Sequence, residues 1–122
     1  DRAVGAIAEA AQACQGSMLV TGDHGNAEQM LDPSTKIPRG EHSVNPVPLY
    51  LVGHRFPKPS QPIALDGSAK PLGRLADVAP TVLEILGLPK QQAMTGVSLL
   101  PKLLGMRGNL RAPFGSWVRH RG

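Results

Sequence analysis

The chain has 122 residues, 41% of them hydrophobic and 18% charged, which suits one ordinary core, is too little for two independent ones, and excludes disorder throughout. Aromatic residues make up 3%, so the stacking platforms that hold single-stranded nucleic acid are missing and nucleic acid is not an expected partner. The net charge of +4 owes much to Arg107, Arg111, Arg119 and Arg121, where the expectation is a solvated tail rather than a polyanion site.

The apolar positions Val4, Ile7, Ala8, Ala11 and Cys14 recur at helical spacing among alanines, which predicts a helix from Asp1 to about Cys14 with Gly16 as its stop. That helix starts at the first residue with little preceding cap, the pattern of a chain that begins inside a larger element. Cys14 is the only cysteine, so neither an internal disulfide nor a thiolate zinc cluster can form from this chain alone. Met18-Leu19-Val20 is a continuous apolar run, and Ser17 to Thr21 reads as a buried strand of a parallel sheet. Leu31 to Glu41, polar and carrying Pro33, Pro38 and Gly40, reads as a loop, and Pro48 to Val52 as a second strand. Residues 53–73 hold four prolines and read as irregular chain with a short strand around Ile63 to Leu65. Asp77 is placed as the N-cap of a helix running to about Leu86, with Pro80 in its first turn, Gly87 closing it and Pro89 preventing continuation. Leu99 to Leu104 forms a short helix interrupted by Pro101. There is no run of about 20 apolar residues for a membrane span and no secretory pattern at the N-terminus, so a soluble cytoplasmic protein is expected.

Asp23-His24-Gly25-Asn26 follows the first strand directly, and His42 precedes Asn45-Pro46-Val47-Pro48 and the second strand. A carboxylate and two imidazoles at strand ends are donors for a divalent metal. On an ideal strand Asp23 and His24 point to opposite faces, so a shared ion requires a bend, which Gly22 and Gly25 permit. On local spacing alone the plainer reading holds: Asp23 in a turn, with His24 and His42 at the surface. The metal reading gains force only when the two segments are taken together: if the two strands are neighbours in a parallel sheet, their flanking loops can meet at one edge. His54, in the turn Gly53-His54-Arg55, and His120 in the tail are weaker candidates.

The runs Val20 to Met30, His42 to Pro48 and Leu75 to Thr81, followed by Met94 to Leu99, together resemble the C-terminal part of cofactor-independent (2,3-bisphosphoglycerate-independent) phosphoglycerate mutases, a family of the alkaline phosphatase-like superfamily. The resemblance implies an α/β fold with a mostly parallel sheet flanked by helices, incomplete in this chain. Residues 1–104 would form part of a metal-binding phosphatase-like domain, with 105–122 a basic tail without counterpart. It implies interconversion of 3-phosphoglycerate and 2-phosphoglycerate through a phosphoserine, at two divalent metal ions expected to be Mn2+, with Zn2+, Co2+ or Mg2+ as alternatives. By matching position, Asp23 and His24 are ligands of one ion and His42 of the other. The nucleophilic serine, the remaining ligands and the substrate arginines belong to a missing upstream part, so the isolated chain is expected to be inactive and the complete enzyme monomeric. Other readings are another phosphomutase or phosphatase of the superfamily, and a non-catalytic fragment that binds metal or a partner.

Overall fold

The computed structural model describes residues 1–56 and 70–105, which fall into two compact units, Asp1–Arg55 and Phe56–Gly122. The strand expected around Ile63 to Leu65 and the tail from residue 106 lie outside the described residues.

In the first unit, helix α1 spans Arg2–Ala13, followed by strand β1, Ser17–Thr21, and strand β2, Leu49–Gly53. Helix and strand lengths match the hydrophobic spacing, and β2 is displaced by one residue from its expected start. The helix end differs from expectation in its chemistry. Gln15, not Gly16, takes the left-handed conformation, with φ 55°. Its N–H donates to the Gln12 carbonyl at 2.9 Å, and the Gly16 N–H donates to Ala11 at 2.7 Å, which satisfies the last carbonyls of the helix. Gly16 is needed for space: a Cβ there would lie 3.1 Å from the Ala11 carbonyl oxygen.

The two strands pair antiparallel, with Ser17 opposite Gly53 and Thr21 opposite Leu49. This corrects the expectation of a parallel pair. An apolar run reports burial but not direction, and no crossover helix lies between β1 and β2 to return the chain for parallel pairing. The correction matters for the site. In a parallel pair the exit of β1 and the entry of β2 would lie at opposite ends of the sheet, whereas here they lie side by side. Helix α1 packs across both strands. The strand interiors are half-buried apart from the exposed Tyr50, and Val4 and Ile7 of α1 remain exposed.

In the second unit, a turn of 3-10 helix at Leu75–Asp77 leads into α2, Val78–Ile85, and a four-residue helix α3, Leu100–Leu103, follows. Pro101 falls in the first turn of α3, where a missing N–H costs nothing, and so does not interrupt it. Gly87, at φ 70°, ends α2 as expected, with Leu88 N–H donating to Leu83 at 2.9 Å and Gly87 N–H to Glu84 at 3.1 Å.

The buried centre of this unit is built on Asp77, Thr81, Leu99 and Leu100. Asp77 stands at the N-cap position but its carboxylate does not cap α2. It accepts N–H bonds from Arg74 and from Val97, both at 2.8 Å, so it ties the helix entry to the segment before α3. Those bonds, Val97 first, hold its carboxyl below the usual carboxylate range. Thr81 completes the tie: its hydroxyl donates to the Asp77 carbonyl at 2.7 Å and accepts from the Leu99 N–H at 2.8 Å. Among the described residues no helix is long and apolar enough to cross a membrane.

Candidate metal centre

The chain leaves β1 at Thr21 and bends at Asp23 and His24. Gly22 lets Val47, on the segment entering β2, come close: a Cβ on Gly22 would stand 3.2 Å from Val47 Cγ1. Beyond the bend the two segments form a bridge of two backbone hydrogen bonds, Gly25 N–H to Ser43 at 3.2 Å and Ser43 N–H to Gly25 at 2.8 Å. Because the strands are antiparallel, this bridge continues the pairing past the end of the sheet.

The result is a juxtaposition of the expected donors. The rings of His24 and His42 stack with centroids 3.6 Å apart and planes 14° from parallel. The Asp23 carboxylate lies 3.6 Å from His24 Nε2. His24 Nδ1 is 3.1 Å from the Gly25 carbonyl oxygen. A carbonyl only accepts, so this contact assigns the proton to Nδ1. In the neutral ring Nε2 is then unprotonated, 3.6 Å from an Asp23 carboxylate oxygen. Two donors on one ion, with bonds of about 2.0–2.2 Å, lie about 2.8–3.6 Å apart at tetrahedral to octahedral angles. The separation of Asp23 and His24 falls at the upper edge of that range. A ring N–H held by a backbone carbonyl is also the usual outer support of a metal-bound histidine. His42 is different: nearly parallel rings direct their in-plane lone pairs to neighbouring points rather than to one. The donor types, one carboxylate and two imidazoles, are ones that suit divalent ions. Among the described residues, no group of three or more His, Cys, Asp or Glu side chains is placed to hold a metal ion.

The residues that reasoning from the sequence passed over stand behind this pair. Glu28, in the 3-10 turn Ala27–Gln29, accepts hydrogen bonds from the Ser43 hydroxyl, from Asn45 Nδ2 at 2.9 Å and from the Asn26 N–H at 2.7 Å. These donors, Ser43 foremost, hold its carboxyl down at about 2. Asn26 Nδ2 adds a bond to the Glu41 carbonyl at 3.2 Å. A signal was present in the sequence: Ser43 and Asn45 are two apart, which on extended chain turns both side chains to one side, toward a single acceptor.

Residues 29, 39 and 41–45 line a shallow hollow of about 220 Å³ that includes His42. Its cation, Arg39, is shared between Asp32 at 3.9 Å and Glu41 at 3.6 Å. Asp32 in turn accepts from the Ser34 hydroxyl at 2.6 Å and from the N–H groups of Ser34 and Thr35, which keeps its carboxyl far below the ordinary range. His54 lies in a turn after β2, at the other end of the strand from His24 and His42.

Comparison with known proteins gives concordant results. The chain is 47% identical over 100 residues to 2,3-bisphosphoglycerate-independent phosphoglycerate mutases of Cereibacter sphaeroides and of Thermomicrobium roseum, covering 82% of this chain and 18% of each relative. It is 44% identical over 104 residues to 2,3-bisphosphoglycerate-independent phosphoglycerate mutase 1 of Methanosarcina acetivorans, covering 84% of this chain and 18% of that one. The chain thus spans under a fifth of the length of these curated relatives. The model of the metalloenzyme superfamily matches residues 1–90. This chain belongs to the metalloenzyme superfamily.

Proposed function

We propose that this chain is the metal-ligand-bearing part of a phosphoglycerate mutase, acting on 3-phosphoglycerate and 2-phosphoglycerate through a phosphoserine on a segment outside it. The observation that carries the reading is the arrangement of donors at the end of the β1–β2 pair: Asp23 beside the Nε2 of His24, with the His42 ring stacked on it. The similarity to mutases over 82% of the chain supports the same reaction class. In this reading Asp23 and His24 hold one divalent ion and His42 holds the other, Mn2+ being the expected metal and Zn2+, Co2+ or Mg2+ the alternatives. Bound ions supply charge neutralisation for a transferring phosphoryl group and ease the formation of an alkoxide nucleophile. The chain's own residues do the rest of the work assigned to them here. The Gly25 carbonyl fixes the His24 tautomer, and the bridge between Gly25 and Ser43 lays the two loops side by side. Three ligands do not complete two metal shells, so the remaining donors and the serine must come from the rest of a longer enzyme, and the chain alone is expected to be inactive.

The test is a chimera in which this chain replaces the matching 100 residues of the Cereibacter sphaeroides mutase. The expected result is an active, metal-loaded enzyme in which Asp23→Ala, His24→Ala and His42→Ala each reduce metal affinity and turnover by more than about 100-fold. Unchanged metal content and turnover in all three variants would remove the assignment.

A further inference from the structure

The two histidines sit on different segments, exposed to solvent and with no buried apolar side chain beneath them to hold their spacing. Beyond the backbone bridge, the Glu28 carboxylate gathers the most side-chain bonds between the segments, beside single bonds from Asn26 Nδ2 to the Glu41 carbonyl at 3.2 Å and from Asn45 Nδ2 to Gln29 Oε1 at 3.4 Å. Glu28 collects a hydrogen bond from its own loop, at Asn26 N–H, and two from the opposite loop, at the Ser43 hydroxyl and Asn45 Nδ2. Ser43 is the immediate neighbour of His42 and also one half of the backbone bridge to Gly25, itself the neighbour of His24. The Glu28 contacts thus act at the residues adjoining both rings.

Gly25 makes room for the same contact. It is buried, and a Cβ built on it would collide with Ser43 Oγ and with the Glu28 carboxylate. The space that a side chain at Gly25 would fill is occupied by the Glu28–Ser43 contact, and φ at Gly25 is not in the left-handed region, so close approach rather than backbone angle accounts for the glycine. A carboxylate suits the position because it is acceptor-only and offers several lone pairs, whereas the three groups around it are all donors.

We propose that Glu28 is a positioning residue: it clasps the His42 loop to the His24 loop and so sets the ring-to-ring spacing on which the two-ion reading above rests. Glu28 acts through Ser43 and Asn45 and makes no contact with the metal-binding atoms themselves.

The experiment uses the metal-free 122-residue chain and nuclear Overhauser contacts between the His24 and His42 rings. The unsubstituted chain should show the ring-to-ring contact. Glu28→Ala should lose it while the β1–β2 amides keep their protection, and Glu28→Gln, whose amide oxygen still accepts from Ser43 and Asn45, should retain it. If Glu28→Ala unfolds the unit, Ser43→Ala decides, because it removes one arm of the clasp and leaves the backbone bridge. In the chimera, Glu28→Ala should weaken Mn2+ binding by about 10- to 100-fold, with recovery in Glu28→Gln. Absence of the ring contact from the unsubstituted chain, or its survival in both Glu28→Ala and Ser43→Ala, overturns the proposal. A ring contact that responds as expected in a chimera that binds no Mn2+ would leave the clasp standing and sink the metal reading instead.

Discussion

Replacing Thr81 by valine isolates the tie at the centre of the second unit. Thr81 is 0% exposed and Leu99 3%, so the Leu99 N–H that now donates to the Thr81 hydroxyl at 2.8 Å would be left with no acceptor and little access to water. An unpaired buried N–H costs about 1–3 kcal/mol. Valine has nearly the same shape and places a methyl where the hydroxyl stood, which returns about 0.8 kcal/mol. The net loss is about 0.2–2.2 kcal/mol, equivalent to about 1.4- to 40-fold faster hydrogen exchange at the Leu99 amide. Amide exchange followed by NMR measures this directly. Thr81→Ser is the control: it keeps the hydroxyl and loses a methyl, so Leu99 should exchange in step with its neighbours even if the whole unit is weaker. Leu99 exchange that stays in step with its neighbours in Thr81→Val would refute the reasoning.

Gln15→Gly should stabilise the first unit by about 0.5–1 kcal/mol, the left-handed penalty of a side chain less the added entropy of glycine in the unfolded chain. A lower denaturation midpoint would count against the helix end described above. Gly96→Ala should destabilise the second unit by about 1–3 kcal/mol or more, because the new Cβ would be forced onto the Ala76 carbonyl oxygen; an unchanged midpoint in urea would contradict it. Acid should weaken the loop clasp with a definite sign. The Glu28 carboxyl titrates at about 2 in the folded chain and at about 4.3 when unfolded, so the unfolded state binds more protons between those values. Its contribution is present above about pH 4.3 and lost as pH falls toward 2. Glu28→Gln should flatten that part of the stability profile, and an identical slope in both proteins would be the contrary result.

Much of the local structure was legible in the sequence because local rules decide it. The apolar spacing of α1, the extent of β1 and the glycine stop at Gly87 all follow from periodicity and backbone preference. Strand direction was not legible, since Met18-Leu19-Val20 satisfies either pairing, and the expected parallel arrangement would have separated the very residues it was invoked to unite. The donors Asp23, His24 and His42 could be named from residue type and position, but their meeting depends on the antiparallel register of Thr21 with Leu49. Polar side chains that serve other side chains were hardest to see. Asp77 looked like a helix cap and instead ties two segments together through Arg74 and Val97. Glu28 is surrounded by residues that draw attention for their own chemistry, and only the fold reveals that three donors converge on it.

In the proposed function the end of the β1–β2 pair presents donors for two neighbouring ions. Electron paramagnetic resonance of the Mn2+-loaded chimera tests it most directly. A spin-coupled spectrum from two close ions is expected, reduced to the spectrum of an isolated ion by His42→Ala and likewise by Asp23→Ala or His24→Ala. A coupled spectrum that survives all three substitutions would contradict it.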